Sequence, residues 1–280
     1  MSAARLIFST GSLYTHDIAY CYEIAAEAGC DGIEVMCDDR WCTRDPGYLQ
    51  KLSQTYGIPT LVLHTPFSVH LMGWQNRGDH LGRIHQTHQL AQEVGAEAIV
   101  IHNPPRVYRT ALETPGRRYW LPWKTPFKSV KHWIETELPA FQKTTPIKIA
   151  VENVPIIKYM GLKADPSYWK GIEQWANLNE YLTLDTTHWA THAVKPLEAY
   201  EAAKGRVWHI HLSNYKDGRE HRLPHQGELD LAGFLQRLSK DNFAGTVCLE
   251  LYPDSLGFQD DATIRQNLKD SVAFCRQHLS

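Results

Sequence analysis

The sequence predicts an α/β protein that folds as one closed (β/α)8 barrel. Short apolar runs rich in β-branched residues alternate with longer amphipathic segments along the chain, and they make eight strand–helix pairs. Eight pairs are the number that closes a parallel sheet into such a barrel. The chain has 280 residues, of which 43% are hydrophobic, and this suits one large core. We therefore predict a single domain over residues 1–280.

Each predicted strand is a short apolar run that is followed by a helical pattern. In chain order the runs are RLIFS, GIEVM, TLVLH, AIVIH, KIAVEN, YLTLD, RVWHIHLSN and GTVCLEL. The helical patterns cover residues 17–28, 46–56, 79–94, about 126–143, 166–176, 197–204, 229–239 and 262–278. Gly29, Gly95 and Gly205 follow three of these patterns, where left-handed helix caps are expected.

An open doubly wound sheet is the competing architecture. Such a sheet usually carries a glycine-rich phosphate-binding turn after its first strand, whereas FSTGSLYTHD contains one glycine. The closed TIM barrel is therefore the predicted fold.

A long loop interrupts the alternation between the fourth strand and the fourth helix, at residues 103–127. Its cations and aromatic residues are interleaved, and they are Arg106, Arg109, Arg117, Arg118, Lys124, Tyr108, Tyr119, Trp120 and Trp123, with Glu113 as the one acid. A functional lid over an anionic sugar and a rim that packs against a neighbouring subunit both fit this composition.

Composition and charge exclude several classes of function. A formal net charge of −2 gives no global attraction for nucleic acid. No run of 18 apolar residues occurs, and the first apolar stretch is too short for a signal peptide, so no membrane span and no export are expected. The six cysteines form no C-x-x-C pair, and we expect reduced thiols in a cytoplasmic protein.

Six consecutive predicted strands end in residue types that bind metal ions. These residues are His64, His102, Glu152, Asp185, His211 and Glu250. Counting back two positions from each leads mostly to small or apolar residues, as the interior of a barrel requires. The exception is His209, which we interpret as a hydrogen-bonded core histidine one layer below His211. Because barrel enzymes build their active sites at the carboxyl ends of the strands, we expect the six side chains to converge.

Three carboxylates and one imidazole, from Glu152, Asp185, His211 and Glu250, would form a hard, mostly oxygen site. Such a set suits Mn²⁺, Mg²⁺, Co²⁺ or Zn²⁺ with positions open to substrate. His64 and His102 would complete a second site bridged by Glu152, or bind substrate hydroxyls. His188 starts the loop after Asp185, where it would bind a second metal or a substrate oxygen.

Other polar residues have less specific expectations. Glu34, which ends the second strand, would brace a ligand histidine, touch substrate or form a structural ion pair. Trp189 would cap the pocket or pack in the rim. His80, His85 and His88 lie on a predicted outer helix, where solvated or packing roles are expected.

The order of GCDGIEV, LVLHTPF, GAEAIVIHN, IAVENV, LTLDTTH, IHLSN, HRLPHQGELD and CLEL resembles the xylose-isomerase-like TIM-barrel superfamily, which includes sugar phosphate isomerases and epimerases, inosose dehydratases and the endonucleases of AP endonuclease family 2. Resemblance to its ketose 3-epimerases implies that Glu152, Asp185, His211 and Glu250 hold the metal. It also implies that Glu152 and Glu250 are the catalytic acid/base pair.

The same resemblance implies substrate contacts by His188 and Arg222. In the endonuclease IV branch, a further metal would require His188, His221 and an aspartate where Arg219 stands, so that site is incomplete. His225, which replaces a glycine of the epimerase-like pattern, is a further candidate for a substrate contact.

The expected function is therefore a metal-dependent isomerase or epimerase that acts on a small sugar, polyol or sugar phosphate by removing a proton next to a metal-polarised carbonyl. An inosose-type dehydratase uses the same proton abstraction and stays an alternative. An endonuclease IV-like DNA-repair phosphodiesterase and a non-catalytic sugar-binding barrel also stay open. Since barrels of this kind often self-associate, a homo-oligomer is a further expectation.

Overall fold

The predicted closed (β/α)8 barrel is confirmed by a computed structural model of the chain, which describes residues 4–66, 79–114, 117–124, 127–159 and 162–280. Eight parallel strands pair in chain order, and the last pairs with the first. The strands are β1 (Arg5–Ser9), β2 (Gly32–Met36), β3 (Thr60–His64), β4 (Ala98–His102), β5 (Lys148–Glu152), β6 (Tyr181–Asp185), β7 (Val207–Leu212) and β8 (Thr246–Leu249).

The helices lie outside the barrel and connect its strands. They are α1 (Ile18–Ala28), α2 (Pro46–Tyr56), α3 (His80–Val94), α4 (Lys128–Thr136), α5 (Leu138–Gln142), α6 (Gly171–Ala176), α7 (Thr186–Thr191), α8 (Pro196–Ala202), α9 (Leu231–Lys240), α10 (Pro253–Leu256) and α11 (Asp261–Leu279), with short 3₁₀ turns at Thr10–Leu13 and Trp41–Thr43. Aspartates accept N–H bonds at the start of several helices, as Asp45 does from Tyr48. Gly29 and Gly95 take the predicted left-handed caps, with φ of 82° and 75°.

The barrel interior holds the small residues that the alternation predicts. Val62, Val100, Ala150 and Cys248 are completely buried there. A larger apolar core lies between the outer faces of the strands and the helices, and it includes bulky side chains such as Trp133. Because these side chains fill the interior of the barrel, the polar side chains lie at the carboxyl end of the strands.

Two predicted helices differ from the observed ones. The helix expected over residues 126–143 is broken at Glu137, because Pro139 has no N–H to continue the hydrogen-bond ladder of α4 and instead occupies the first turn of α5. The helix expected from residue 166 begins only at Gly171. Upstream of it, the N–H of Ser167 donates to the side chain of Asp165, which forms a local turn.

The segment predicted as a long loop at residues 103–127 contains an antiparallel ribbon in which Val107–Thr114 pairs with Arg117–Lys124. Both runs are rich in β-branched and aromatic residues, and the sequence Pro115–Gly116 between them is typical of a turn. The side chains of the ribbon lie outside the described part of the chain. The lid and the subunit contact are therefore still predictions.

Among the described helices, none is long and apolar enough to cross a membrane. All six cysteines are free thiols, as the sequence predicts.

Candidate metal centre and active site

Four side chains converge at the carboxyl ends of β5 to β8, as the sequence predicts. They are Glu152 at the end of β5, Asp185 at the end of β6, His211 in β7 and Glu250 directly after β8, and their donor atoms lie within 4.8 Å of one another. The Nδ1 atom of His211 is 3.0 Å from Glu152 Oε1 and 3.1 Å from Glu250 Oε2. It is 4.0 Å from Asp185 Oδ2.

The strand register explains this convergence. Glu152 is paired with Thr183, and Asp185 lies two residues further along β6. His211 is paired with Cys248, and Glu250 again lies two residues further along. Because side chains alternate with a period of two, each step of two residues keeps the next ligand candidate on the inner side of the barrel.

The cluster concentrates negative charge in a buried place. Burial raises the pKa of Glu152, but the nearby His211 and His102 outweigh it and hold that pKa well below its ordinary value. Burial also raises the pKa of Glu250, while His211 brings it down to about 2. For His211 burial lowers the pKa, yet Glu250, Glu34 and Glu152 together raise it well above its usual value. The ring of His211 thus lies among the carboxyl groups of Glu152, Glu250 and Glu34.

The residues of this cluster fit a divalent cation. Within the described part of the chain, Asp185 Oδ2 is completely buried and has no hydrogen-bond partner. A buried carboxylate oxygen without a partner is costly, and a cation between the four donors would remove that cost. Three carboxylates and one imidazole are also the ligand types that Mn²⁺, Mg²⁺, Co²⁺ and Zn²⁺ accept.

Two further histidines, His64 and His102, contact the second carboxylate oxygen of Glu152, Oε2. Glu152 Oε2 is 3.2 Å from His64 Nε2 and 3.1 Å from His102 Nε2. His64 Nδ1 is held 2.7 Å from the carbonyl oxygen of Thr65. Glu152 therefore lies between His211 and this histidine pair, which is the bridging position that the second-site hypothesis requires.

His188 lies beside the cluster in helix α7, whereas the sequence predicts a loop at this position. Asp185 Oδ1 caps this helix by accepting the N–H of His188 at 2.6 Å. The ring Nδ1 is 2.8 Å from the carbonyl oxygen of Asn153 and 3.3 Å from Glu152 Oε1. Burial lowers the pKa of His188, but Asp185 and Glu152 raise it to about 10.

His221 completes a second group of donors, since its ring lies within 4.8 Å of donor atoms of Asp185 and His188. Its backbone is left-handed, with φ of 55°, and its Nδ1 is 3.2 Å from Ser213 Oγ. This conformation is uncommon for a residue other than glycine, and it holds the ring against the cluster.

Arg222 lies outside the cluster of metal-ligand candidates, and its expected substrate contact stays a prediction. Its guanidinium pairs with Asp254 at 3.0 Å, and it is not among the described residues that line the cavity. The arginine at the position of the missing endonuclease aspartate, Arg219, is exposed.

Glu220 is a polar neighbour of His188 and His221 that the sequence does not predict. Its Oε1 is buried and has no hydrogen-bond partner among the described residues. Burial, together with the charges of Asp185 and Glu250, outweighs the nearby His188 and His221 and raises its pKa. Glu220 and His221 lie in a short strand, Arg219–Arg222, that pairs with Asn214–Lys216. Regular alternation would place their side chains on opposite sides of this strand, but the left-handed backbone of His221 interrupts the alternation. No pattern in the sequence predicts the left-handed backbone of His221 or the resulting position of Glu220.

A cavity of about 740 Å³ opens above the cluster. Its described polar lining at the cluster includes Glu152, Glu250, His188 and His221, while Asp185 and His211 are buried behind these residues. Tyr252, which is 43% exposed, also lines the cavity. The volume is in the range of small-molecule sites.

His80 has the packing role that is expected on the outer helix α3, and it also lines this cavity. The first turn of α3 reaches the rim of the barrel, where the ring of His80 packs 4.1 Å from Phe127. Burial and then Arg83 lower its pKa to about 4. His85 and His88 have packing roles as expected, and His88 also bonds to Thr145.

Glu34 lies in the middle of β2 rather than at its end. Its Oε2 is 3.0 Å from His211 Nε2, which is the contact that the bracing role predicts. His209 is completely buried and hydrogen-bonded, as predicted. Trp189 packs edge-on against Trp175, in agreement with the predicted packing role.

The remaining candidate, His225, is exposed and is not among the described residues that line the cavity.

Comparison with known proteins adds a family and a set of structural neighbours. The family described as "Xylose isomerase-like TIM barrel" matches residues 22–278. A curated relative, an uncharacterized protein of Mycobacterium leprae, is 25% identical over 295 residues, which cover 97% of this chain and 96% of the relative.

Three solved structures share the fold. The 3-keto-D-glucoside 4-epimerase YcjR from E. coli has a TM-score of 0.68 at 17% identity, over 98% of this chain and 99% of its own. The D-allulose 3-epimerase from Methylomonas sp., solved with D-allulose, has a TM-score of 0.67 at 15% identity, over 99% and 98%. The IOLI protein with a zinc atom has a TM-score of 0.63 at 17% identity, over 98% and 96%.

Proposed function

Since this chain belongs to the xylose isomerase-like TIM-barrel family, we propose that it is a metal-dependent enzyme that isomerises or epimerises a small sugar or sugar phosphate. The observation that carries the proposal is the cluster of three carboxylates and one imidazole at the floor of a cavity, with a buried oxygen of Asp185 left without a partner among the described residues. The names of two structural neighbours, a keto-glucoside epimerase and an allulose epimerase, support the class of substrate.

Glu152, Asp185, His211 and Glu250 would hold the metal. When bound there, a divalent cation supplies a Lewis acid that polarises a substrate carbonyl and makes the proton on the neighbouring carbon removable. The zinc atom named with IOLI, which has the same fold, supports a metal in this barrel.

Glu152 and Glu250 are the proposed acid/base pair, because both line the cavity. Each also has an oxygen close to His211 Nδ1, at 3.0 Å for Glu152 and 3.1 Å for Glu250. One carboxylate takes the proton next to the carbonyl, and the other carboxylic acid returns a proton. Return to the opposite face of the same carbon gives an epimer, whereas return to the neighbouring carbon gives an isomer.

Substrate hydroxyls would be bound by His188 and His221, which line the cavity above the cluster. His188 uses Nδ1 for the carbonyl of Asn153, so its Nε2 is the nitrogen left for substrate. The exposed ring of Tyr252 lies in the wall of the same cavity and offers an apolar surface to a sugar ring. Arg222 is not part of this proposal.

An inosose-type dehydratase is the second candidate, since the same two glutamates would remove the same kind of proton. An endonuclease IV-like activity is disfavoured by the net charge of −2 and by the exposed Arg219 at the position of a required acid.

The test combines metal analysis with hydrogen exchange. We expect the purified protein to contain a divalent metal, and we expect the protein reloaded with Mn²⁺ or Co²⁺ to exchange deuterium from solvent into one member of a panel of ketoses, 3-keto-glucosides and sugar phosphates. Glu152→Gln should abolish this exchange. Glu135→Gln, the same change in an exposed ion pair on α4, is the matched control and should not affect it. Full exchange by Glu152→Gln would refute the assigned role.

A further inference from the structure

A second carboxylate system lies directly beneath the candidate metal centre. Glu34 in β2 is completely buried in the barrel interior, and it is not among the described residues that line the cavity. Glu34 is therefore not expected to contact a substrate bound in the cavity. Its contact with the cluster is made through His211, on the side of the ring that faces away from Glu152 and Glu250.

Both oxygens of Glu34 have partners. Oε2 is 2.9 Å from His209 Nε2 and 3.0 Å from His211 Nε2, and Oε1 accepts the hydroxyl of Ser9 at 2.9 Å. Ser9 is paired with Glu34 in the register of β1 and β2, so this hydroxyl joins neighbouring strands. The two histidine contacts cross the barrel from β2 to β7.

The direction of these hydrogen bonds follows from chemistry. An ionised carboxylate can only accept, so His209 and His211 must each carry a proton on Nε2. His209 then has a bare Nδ1, to which the hydroxyl of Thr246 donates over 2.6 Å. His211, fixed in the same way, presents Nδ1 to the cluster as a free lone pair whenever a cation is bound there.

We propose that Glu34 is a positioning residue that fixes both the ring orientation and the Nε2-protonated form of His211, with His209 and Ser9 holding the carboxylate in place. The inference rests on the proposed metal centre, and it does not depend on which reaction the enzyme performs. A carboxylate on the far nitrogen of a metal-binding histidine raises the basicity of the ligand and orders its ring before the metal arrives.

Two substitutions separate the charge of Glu34 from its hydrogen bonds. In Glu34→Gln the amide oxygen can still accept both N–H groups and the amide N–H₂ can donate to Ser9, so only the charge is lost. In Glu34→Ala both the charge and the hydrogen bonds are lost. Thr246→Val is the control, because it is nearly isosteric and removes only the hydrogen bond at the far side of His209.

The readout is the affinity of the protein for Zn²⁺, measured by competition with a chromophoric chelator. We expect Glu34→Ala to weaken binding by about 10–100-fold, Glu34→Gln to weaken it by about tenfold, and Thr246→Val to change it by less than about twofold. In zinc-loaded wild type, nitrogen-detected NMR should show His209 and His211 protonated on Nε2, and Glu34→Gln should retain both signals.

Unchanged zinc affinity in both Glu34 variants, with only a lower melting temperature in chelator, would overturn the inference and leave the proposed enzyme in place. An Nδ1-protonated His211 in the zinc-loaded protein would overturn it as well. A wild-type protein that binds neither Zn²⁺ nor Mn²⁺ would overturn both this inference and the proposed metal centre. Should Glu34→Ala fail to fold, the Glu34→Gln affinity and the NMR signals decide the question.

Discussion

Replacing Asp185 by asparagine should have opposite effects on the metal-free and the metal-loaded protein. Asp185 Oδ1 caps α7, and an asparagine oxygen can accept the same N–H of His188. Asp185 Oδ2 is the buried oxygen without a hydrogen-bond partner among the described residues, and it adds charge to the cluster. A buried unsatisfied group costs about 1–3 kcal/mol. In the variant an uncharged amide N–H₂ takes the place of this oxygen and can donate to the nearby carboxylates of Glu152 and Glu250, so the metal-free variant should be at least as stable as wild type.

The loaded protein should behave in the opposite way, because one anionic ligand is lost. At a metal concentration 1,000 times the dissociation constant, wild type gains about 4.1 kcal/mol. If the variant binds about 100-fold more weakly, its gain at the same concentration falls to about 1.4 kcal/mol. At about 2 °C per kcal/mol for a chain of this length, its metal-induced rise in melting temperature should be about 5 °C smaller than that of wild type.

Calorimetry of both proteins with chelator and with Mn²⁺ measures these shifts. Asp45→Asn is the matched control, since Asp45 caps α2 through the N–H of Tyr48 at 2.7 Å and lies on the surface. It should change neither state by more than about 0.5 kcal/mol. A variant that is clearly less stable than wild type in chelator, and yet gains as much from metal, would show that Asp185 is only a helix cap.

Two further predictions concern the metal-free stability. The pKa of His188, which burial lowers and Asp185 and Glu152 raise to about 10, lies above its ordinary value, so the stability it contributes is complete below about pH 6.5 and is lost as the pH rises from there through about 10. Urea unfolding in chelator at pH 6 and pH 10 should therefore show a smaller pH dependence for His188→Gln than for wild type, and an equal dependence would contradict this. Gly245→Ala should lower the free energy of unfolding by about 1–3 kcal/mol or more, because the added Cβ would lie 2.0 Å from the carbonyl oxygen of Trp208. Gly47→Ala, whose Cβ would meet only Asp45 Oδ1 at 3.4 Å, should stabilise α2 by up to about 1 kcal/mol, and similar unfolding curves for the two variants would refute the packing argument.

The chain's alternating pattern was sufficient to predict the barrel and the place of its polar residues. Eight strand–helix pairs leave one closed parallel arrangement, and the period of two along each strand sets which residues face inward. Because strand ends are local features, Glu152, Asp185 and His211 could be assigned to one rim without any knowledge of distances. Glu250 was assigned in the same way, although it follows its strand directly.

Details of the outer layer were less predictable. The ribbon of Val107–Thr114 and Arg117–Lys124, and the break between α4 and α5, are not visible in the helical and strand periods of the sequence. His80 lies on a helix whose first turn reaches the cavity, and helical periodicity by itself does not show which turn of a helix meets the barrel rim.

The roles of individual polar side chains were decided by the tertiary structure. Arg222 pairs with Asp254, the half-buried Glu220 lies beside His188 and His221, and Glu34 contacts His211 across the barrel. These contacts join residues that are distant in sequence, or they depend on the left-handed backbone of His221. The sequence by itself therefore determined the fold and the layer that holds the candidate site, because both follow from local periodicity. Only the tertiary structure decided which groups touch, because contact depends on side-chain directions across the barrel.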